Sequence, residues 1–144
     1  MTLLLLAPVI AIAVVGATAF ALQLQRRGQR RLIGTVIEHA APPPSPVDEP
    51  SLLYFTGVHC SVCHVAQRPA LLSLQERLGG VLRMREIDVA DDPALARKYR
   101  VLSLPTTIVL RADHSVAAVN TGFAGADTLE RQLVDAGLRV AQLA

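Results

Sequence analysis

Ser51-Leu52-Leu53-Tyr54-Phe55-Thr56-Gly57-Val58-His59-Cys60-Ser61-Val62-Cys63-His64 holds both cysteines of the chain, and the fold can be read outward from it. Residues 51–56 are a short apolar run rich in strand formers. Residues 65–78 repeat apolar side chains at helical spacing. Cys60 therefore sits where a strand ends and a helix begins. A helix N-terminus offers unpaired N–H groups and a positive partial charge. Both stabilise a thiolate, the reactive form of cysteine. Cys63 falls one turn later on the same side, within reach of a disulfide with Cys60, the geometry that dithiol–disulfide exchange requires. Two cysteines so close in sequence cannot staple a fold, so a chemical role outranks a structural one.

Upstream, residues 3–22 carry no charge, and only Pro8, Gly16 and Thr18 interrupt their apolar character. Twenty such residues are enough to cross a bilayer as a helix. A cleaved signal peptide is the rival, with Ala19-Phe20-Ala21 resembling a cleavage site, but no basic residue precedes the run. The expectation is a retained anchor over residues 1–25, in contact with membrane lipid through residues 3–22. Arg26, Arg27, Arg30 and Arg31 follow at once. They account for four of the 14 basic residues, leaving ten basic against 12 acidic residues from Leu32 onward. No basic stripe remains, and aromatic residues are scarce, which excludes nucleic-acid binding. Arginines flanking a span bias that flank to the cytoplasm. The expected arrangement is a single-pass membrane protein with its soluble domain on the cytoplasmic side, the extracytoplasmic face being the alternative. Residues 40–50 contain five prolines, which excludes a helix or central strand. Residues 26–50 thus read as an Arg-rich flank and an extended linker, with Thr35-Val36-Ile37 as a short strand or a helix extension.

Downstream, residues 51–144 form one domain. Pro69 is expected to kink the first helix, and Gly79-Gly80 to end it. Residues 81–89 read as a strand. Asp91-Asp92-Pro93 starts a short helix over residues 94–99 with a capping Asp. Residues 106–111 and 116–121 form a hairpin across the turn at 112–115. Asp127 and Glu130 form a plausible capping box, and Leu129, Leu133, Ala136 and Val140 share one face of a last helix. The order is βαβαββα, an α/β domain with a parallel sheet, an antiparallel edge and flanking helices.

This stretch resembles the thioredoxin family. The strand Leu52-Leu53-Tyr54-Phe55, then Cys60-Ser61-Val62-Cys63, then Leu104-Pro105-Thr106 before the third strand carry the likeness, with Gly122-Phe123 before the last helix. The resemblance implies a minimal thioredoxin-like fold, thiol–disulfide oxidoreductase activity, and a cis peptide before Pro105 placed against the sulfurs. It departs from the family at His59, where Trp is frequent, and at Tyr54, where cytosolic members carry a buried Asp. Ser61-Val62 replaces Gly-Pro, and the family's first strand and helix are missing or reduced to residues 35–39.

On this reading Cys60 attacks and Cys63 resolves, as a redox disulfide pair supported by His59, His64, Leu104 and Pro105. A protonated His59 or His64 lowers the pKa of a nearby thiol. The chain acts as a protein-disulfide reductase without metal or organic cofactor. Its partners are protein thiols or disulfides and an unidentified electron donor or acceptor. Two alternatives stand. Cys60-Ser61-Val62-Cys63-His64 also fits the c-type haem attachment pattern, with His64 as axial ligand. A redox-silent interaction module is the other. Zinc would lack ligands from this segment alone.

Overall fold

The computed structural model describes residues 2–30, 32–35 and 49–139. The chain divides into two compact units between residues 31 and 32. The first is a single helix, α1 (Thr2–Arg30). It runs on through part of the arginine cluster, five residues past the anticipated anchor. Ile10, Ile12, Val15 and Phe20 are all exposed on it. The hydroxyl of Thr18 donates to the carbonyls of Val14 and Val15, so its one polar side chain in the apolar stretch is satisfied within the helix. Among the described residues no helix is long and apolar enough to cross a membrane. The possible strand at Val36-Ile37 and the proline-rich linker up to residue 48 lie outside the described residues.

The second unit is built around β1 (Ser51–Thr56), which is buried along its whole length. Such a strand faces apolar side chains on both sides, which is why its sequence is a continuous apolar run and does not alternate. The other elements are α2 (Arg68–Arg77), β2 (Arg83–Asp88), α3 (Pro93–Lys98), β3 (Thr106–Leu110), β4 (Val116–Thr121) and α4 (Ala126–Asp135). The sheet order is β2-β1-β3-β4. Leu53 and Phe55 point to one face with Ile87, Tyr99 and Ile108. Leu52 and Tyr54 point to the other, with Leu71 and Leu74 of α2 and Leu129 and Leu133 of α4. Residues 32–35 form a turn belonging to this unit: Leu32 is buried, and Gly34 and Thr35 exchange backbone hydrogen bonds with Val116.

The βαβαββα order stands, but the sheet is less parallel than the alternation of elements implies. Only β1 and β2 are parallel; β3 runs antiparallel to β1, and β4 antiparallel to β3. The length of α3 explains this. Six residues of helix span roughly 9 Å, whereas a five-residue strand spans about 17 Å. α3 cannot carry the chain back down the sheet, so β3 starts from the end where β2 stops. That end is also where β1 delivers the cysteines. The short helix thus brings residues 104–105 to the same edge of the sheet as Cys60.

Two local expectations are corrected. Pro69 does not stand inside one continuous α-helix, as the expected kink supposed. A π-helical turn, Cys63–Gln67, precedes α2, and the Arg68 N–H bonds the Cys63 carbonyl five residues back. The wider turn admits the proline, which sits in the first turn of α2, where its missing N–H is not needed. Asp127 and Glu130 do not form a capping box. α4 is capped by Gly125 without a side-chain bond, and both carboxylates pair with Arg77 of α2. Charge attraction across the helix pair wins over a local cap. The Asp127 carboxyl is held below its usual range, first by the hydrogen bond from Arg77. The cap expected at the start of α3 is present, with the Asp92 carboxylate accepting from Leu95 N at 2.9 Å.

Candidate active site

The residues at the C-terminal end of β1 turn at Gly57, where Cys60 N donates to Gly57 O at 2.9 Å. Helical structure begins at Ser61. Cys60 stands just before it, half-buried, while Cys63 is fully buried in its first turn. The two are joined as a disulfide with Cα atoms 5.2 Å apart. Cys63 N donates to Cys60 Sγ at 3.2 Å. An N–H from the free end of a helix, aimed at sulfur, favours negative charge on that sulfur once the bond is reduced. It identifies Cys60 as the sulfur better stabilised as thiolate and more open to a partner.

Cys63 is fixed through its backbone. Its carbonyl accepts from Arg68 N and, at 3.1 Å, from the Tyr54 hydroxyl. Tyr54 is buried in the sheet under the cysteines, and its Oη also lies 3.3 Å from Thr56 Oγ1. Burial raises the Tyr54 pKa above the ordinary phenol value. At the position where the resemblance leads one to expect a carboxylate, this chain has a neutral donor that holds the main chain of the second cysteine.

An open groove of about 510 Å³ runs beside Cys60. His59, Ser61 and Val62 line one side of it, and Val89 and Leu104 are among the residues lining the rest. The Leu104–Pro105 peptide is cis. Pro105 is buried, and Leu104 packs with Cys60 and Cys63 in one cluster. The structure thus gathers Cys60, Cys63, His59, Leu104 and Pro105 at one end of the sheet. His64 is exposed on the helix and does not line the groove. Sequence reasoning missed three contributors: Tyr54 as a bonding partner of Cys63, the β2 end at residues 88–90, and Gln67. Two left a signal: Tyr54, by standing where the resemblance leads one to expect an acid, and Gln67, as a polar residue on the otherwise apolar stripe formed by Cys63, Leu71, Leu74 and Leu78.

A family model described as Thioredoxin matches residues 45–135. The chain belongs to the thioredoxin family. It is 34% identical over 76 residues to the thioredoxin of Bacillus subtilis (strain 168), which spans 53% of this chain and 71% of that protein. Among solved structures it is similar to thioredoxin-2 of the malaria parasite, described as a component of that organism's protein secretion machinery. That match has a TM-score of 0.59 and 25% identity, and covers 72% of this chain and 95% of the other. Oxidised mitochondrial thioredoxin 3 from Saccharomyces cerevisiae shares the fold, with a TM-score of 0.52, 23% identity, and coverage of 60% and 78%. The chain therefore has a thioredoxin-like redox fold with a Cys60–Cys63 pair at disulfide distance.

Proposed function

We propose that this protein is a membrane-tethered thiol–disulfide oxidoreductase of the protein-disulfide reductase type. The asymmetry of the pair carries the reading: Cys60 is accessible and bonded by a helix-terminal N–H, whereas Cys63 is buried behind it. In the reduced protein the Cys60 thiolate attacks one sulfur of a substrate disulfide. A mixed disulfide forms, and the first substrate thiolate leaves and takes up a proton. The Cys63 thiolate then attacks Cys60 Sγ, forming the Cys60–Cys63 disulfide and expelling the second substrate thiol. Two electrons pass from protein to substrate, and an external dithiol donor must return them. The haem alternative fits less well, because attachment needs both sulfurs open to a porphyrin edge and Cys63 is fully buried.

Replacing Cys63 with Ala is expected to accumulate mixed disulfides on Cys60, resolved as higher-mass adducts on non-reducing gels. Replacing Cys60 with Ala is expected to abolish both turnover and adducts. Capture of partners by Cys63 in the absence of Cys60 would reverse the roles. The tether rests on the uncharged run at 3–22 and on the exposed apolar side chains of α1. The arginines at 26–31 favour the cytoplasmic side for the soluble domain.

A further inference from the structure

The end of β2 contributes to the groove that Cys60 lines. Asp88 stands in register with Thr56, the last residue of β1, and Val89 N donates to Thr56 O at 3.0 Å. Cys60 follows four residues after Thr56. A Cβ on Gly57 would stand 3.0 Å from Leu104 Cδ1 and 3.9 Å from Val89 Cγ2. The two apolar side chains thus close on the chain where it has no side chain of its own. Val58 and Val62 extend this apolar lining. Among the described residues Asp88 is the only acid that lines the groove, and no Lys or Arg does. Side chains two apart on a strand share a face, so Glu86 and Asp88 do on β2. Their surroundings differ. The Glu86 carboxylate pairs with Arg68, whereas Asp88 has no ion-pair partner among the described residues. Asp88 Oδ1 accepts from Ala90 N at 2.8 Å. This turn fixes the carboxylate and leaves Oδ2 for a group from outside. A groove of about 510 Å³ is roughly 10 Å across, about one Debye length at 0.1 M salt. The residues beside a substrate disulfide that enters it to reach Cys60 therefore lie within the field of that carboxylate.

We propose that Asp88 is a specificity-determining residue: its carboxylate selects substrate disulfides that carry Lys or Arg beside the cysteine that Cys60 attacks. This rests on the oxidoreductase reading of the same site and names its substrate class. The test uses the pre-reduced full chain in single turnovers with two cyclic peptide disulfides of equal ring size. They differ only in the residue beside each cysteine, Lys in one and Glu in the other. Each turnover forms the Cys60–Cys63 disulfide and releases a peptide dithiol, which is measured. Every rate is divided by that of the same peptide with dithiothreitol, which removes the peptides' own difference in reactivity. An exposed ion pair changes a rate by about threefold. Attraction of Lys and repulsion of Glu together give Asp88 a share of about tenfold in the preference for the Lys peptide. Asp88→Asn keeps the Oδ1 acceptor for Ala90 N and removes only the charge. It is expected to lower the ratio of the two rates by about that tenfold at 0.05 M salt, and by much less at 0.5 M, where screening is stronger. Any influence of Asp88 on the reactivity of Cys60 itself falls on both peptides alike and cancels in the ratio. If Asp88→Asn does not fold, Asp88→Ser, whose hydroxyl can make the same turn, gives the same readout. A ratio unchanged by the substitution, or losses equal on both peptides, would reduce Asp88 to a turn residue and overturn the proposal. Absence of turnover with either peptide in the natural protein would remove the oxidoreductase reading itself, and this inference with it.

Discussion

Tyr99 offers a sharp test of how the core is balanced. Its side chain is 1% exposed and its ring centroid lies 5.8 Å from that of Phe55, tilted by 56°. Its hydroxyl is buried and has no hydrogen-bond partner among the described residues. Burial pushes its pKa up to about 12, with Arg85 opposing the shift. Tyr99→Phe keeps the ring and removes the hydroxyl. An unpaired buried hydroxyl costs about 1–3 kcal/mol, so the variant is expected to be more stable at pH 7 by roughly 1 kcal/mol. With a urea dependence of about 1–2 kcal/mol per M for a domain of this size, the midpoint should rise by roughly 0.5–1 M.

The pH dependence sharpens the test. The folded pKa lies above the unfolded value of about 10, so the core favours the neutral phenol. Below pH 10 both states are protonated and the contribution of Tyr99 is fully present. As pH rises from 10 to 12 the unfolded chain ionises first, and stability is lost. A gap of about two pH units corresponds to roughly 2.7 kcal/mol. Urea unfolding followed by far-UV circular dichroism at pH 7, 10 and 11.5 would show the advantage of Tyr99→Phe widening across that window. Tyr54 titrates in both proteins, so it cancels in the difference. A variant destabilised by more than 1 kcal/mol at pH 7, or an advantage independent of pH, would refute the reasoning.

Arg100 adopts φ +52° just after α3, where Val101 N bonds Ala96 O, a position that favours glycine. Arg100→Gly is expected to raise stability by about 0.5 kcal/mol, the left-handed strain relieved less the added chain entropy of glycine; a lower urea midpoint would count against it. For the tether, a membrane-impermeant thiol reagent applied to intact, reduced cells is expected to leave Cys60 unlabelled until the membrane is permeabilised. Labelling without permeabilisation would place the domain on the extracytoplasmic face.

Much of the fold was legible because β1 and the cysteine turn obey local rules. A six-residue apolar run, a turn glycine, a C-x-x-C pair and an apolar-periodic segment each carry their conformation in short-range sequence. The cap at Asp92 and the ends of β4 were legible for the same reason. What escaped depends on distance. Asp127 and Glu130 have the spacing of a cap, but Arg77, fifty residues earlier, draws them away. The direction of β3 is set by a comparison of lengths between α3 and the sheet, which no periodicity expresses. Pro69 announced a disturbance in the helix, yet the form it takes depends on how the turn at Cys63–Gln67 packs. The bond from Tyr54 to Cys63 needs the sheet and helix already in register. Residues 36–48 of the linker lie outside the described residues, so the expectations there rest on composition.

The different exposure of the two sulfurs follows from helix periodicity. The buried stripe of this segment runs Cys63, Gln67, Leu71, Leu74 and Leu78, in steps of three and four residues as an inward face requires. Cys63 is its first member, so its side chain is carried into the core by the same face that docks α2 on the sheet. One turn earlier the stripe would reach position 60, but there the chain is still leaving β1 and is not yet helical. Cys60 therefore keeps the direction of the stripe without its depth, and stands at the rim. A residue in that place also faces the free N–H groups of the first turn, one of which bonds its sulfur. Accessibility and thiolate stabilisation thus fall on the same cysteine for a single geometric reason, and the order of attack follows from where the strand stops and the helix starts.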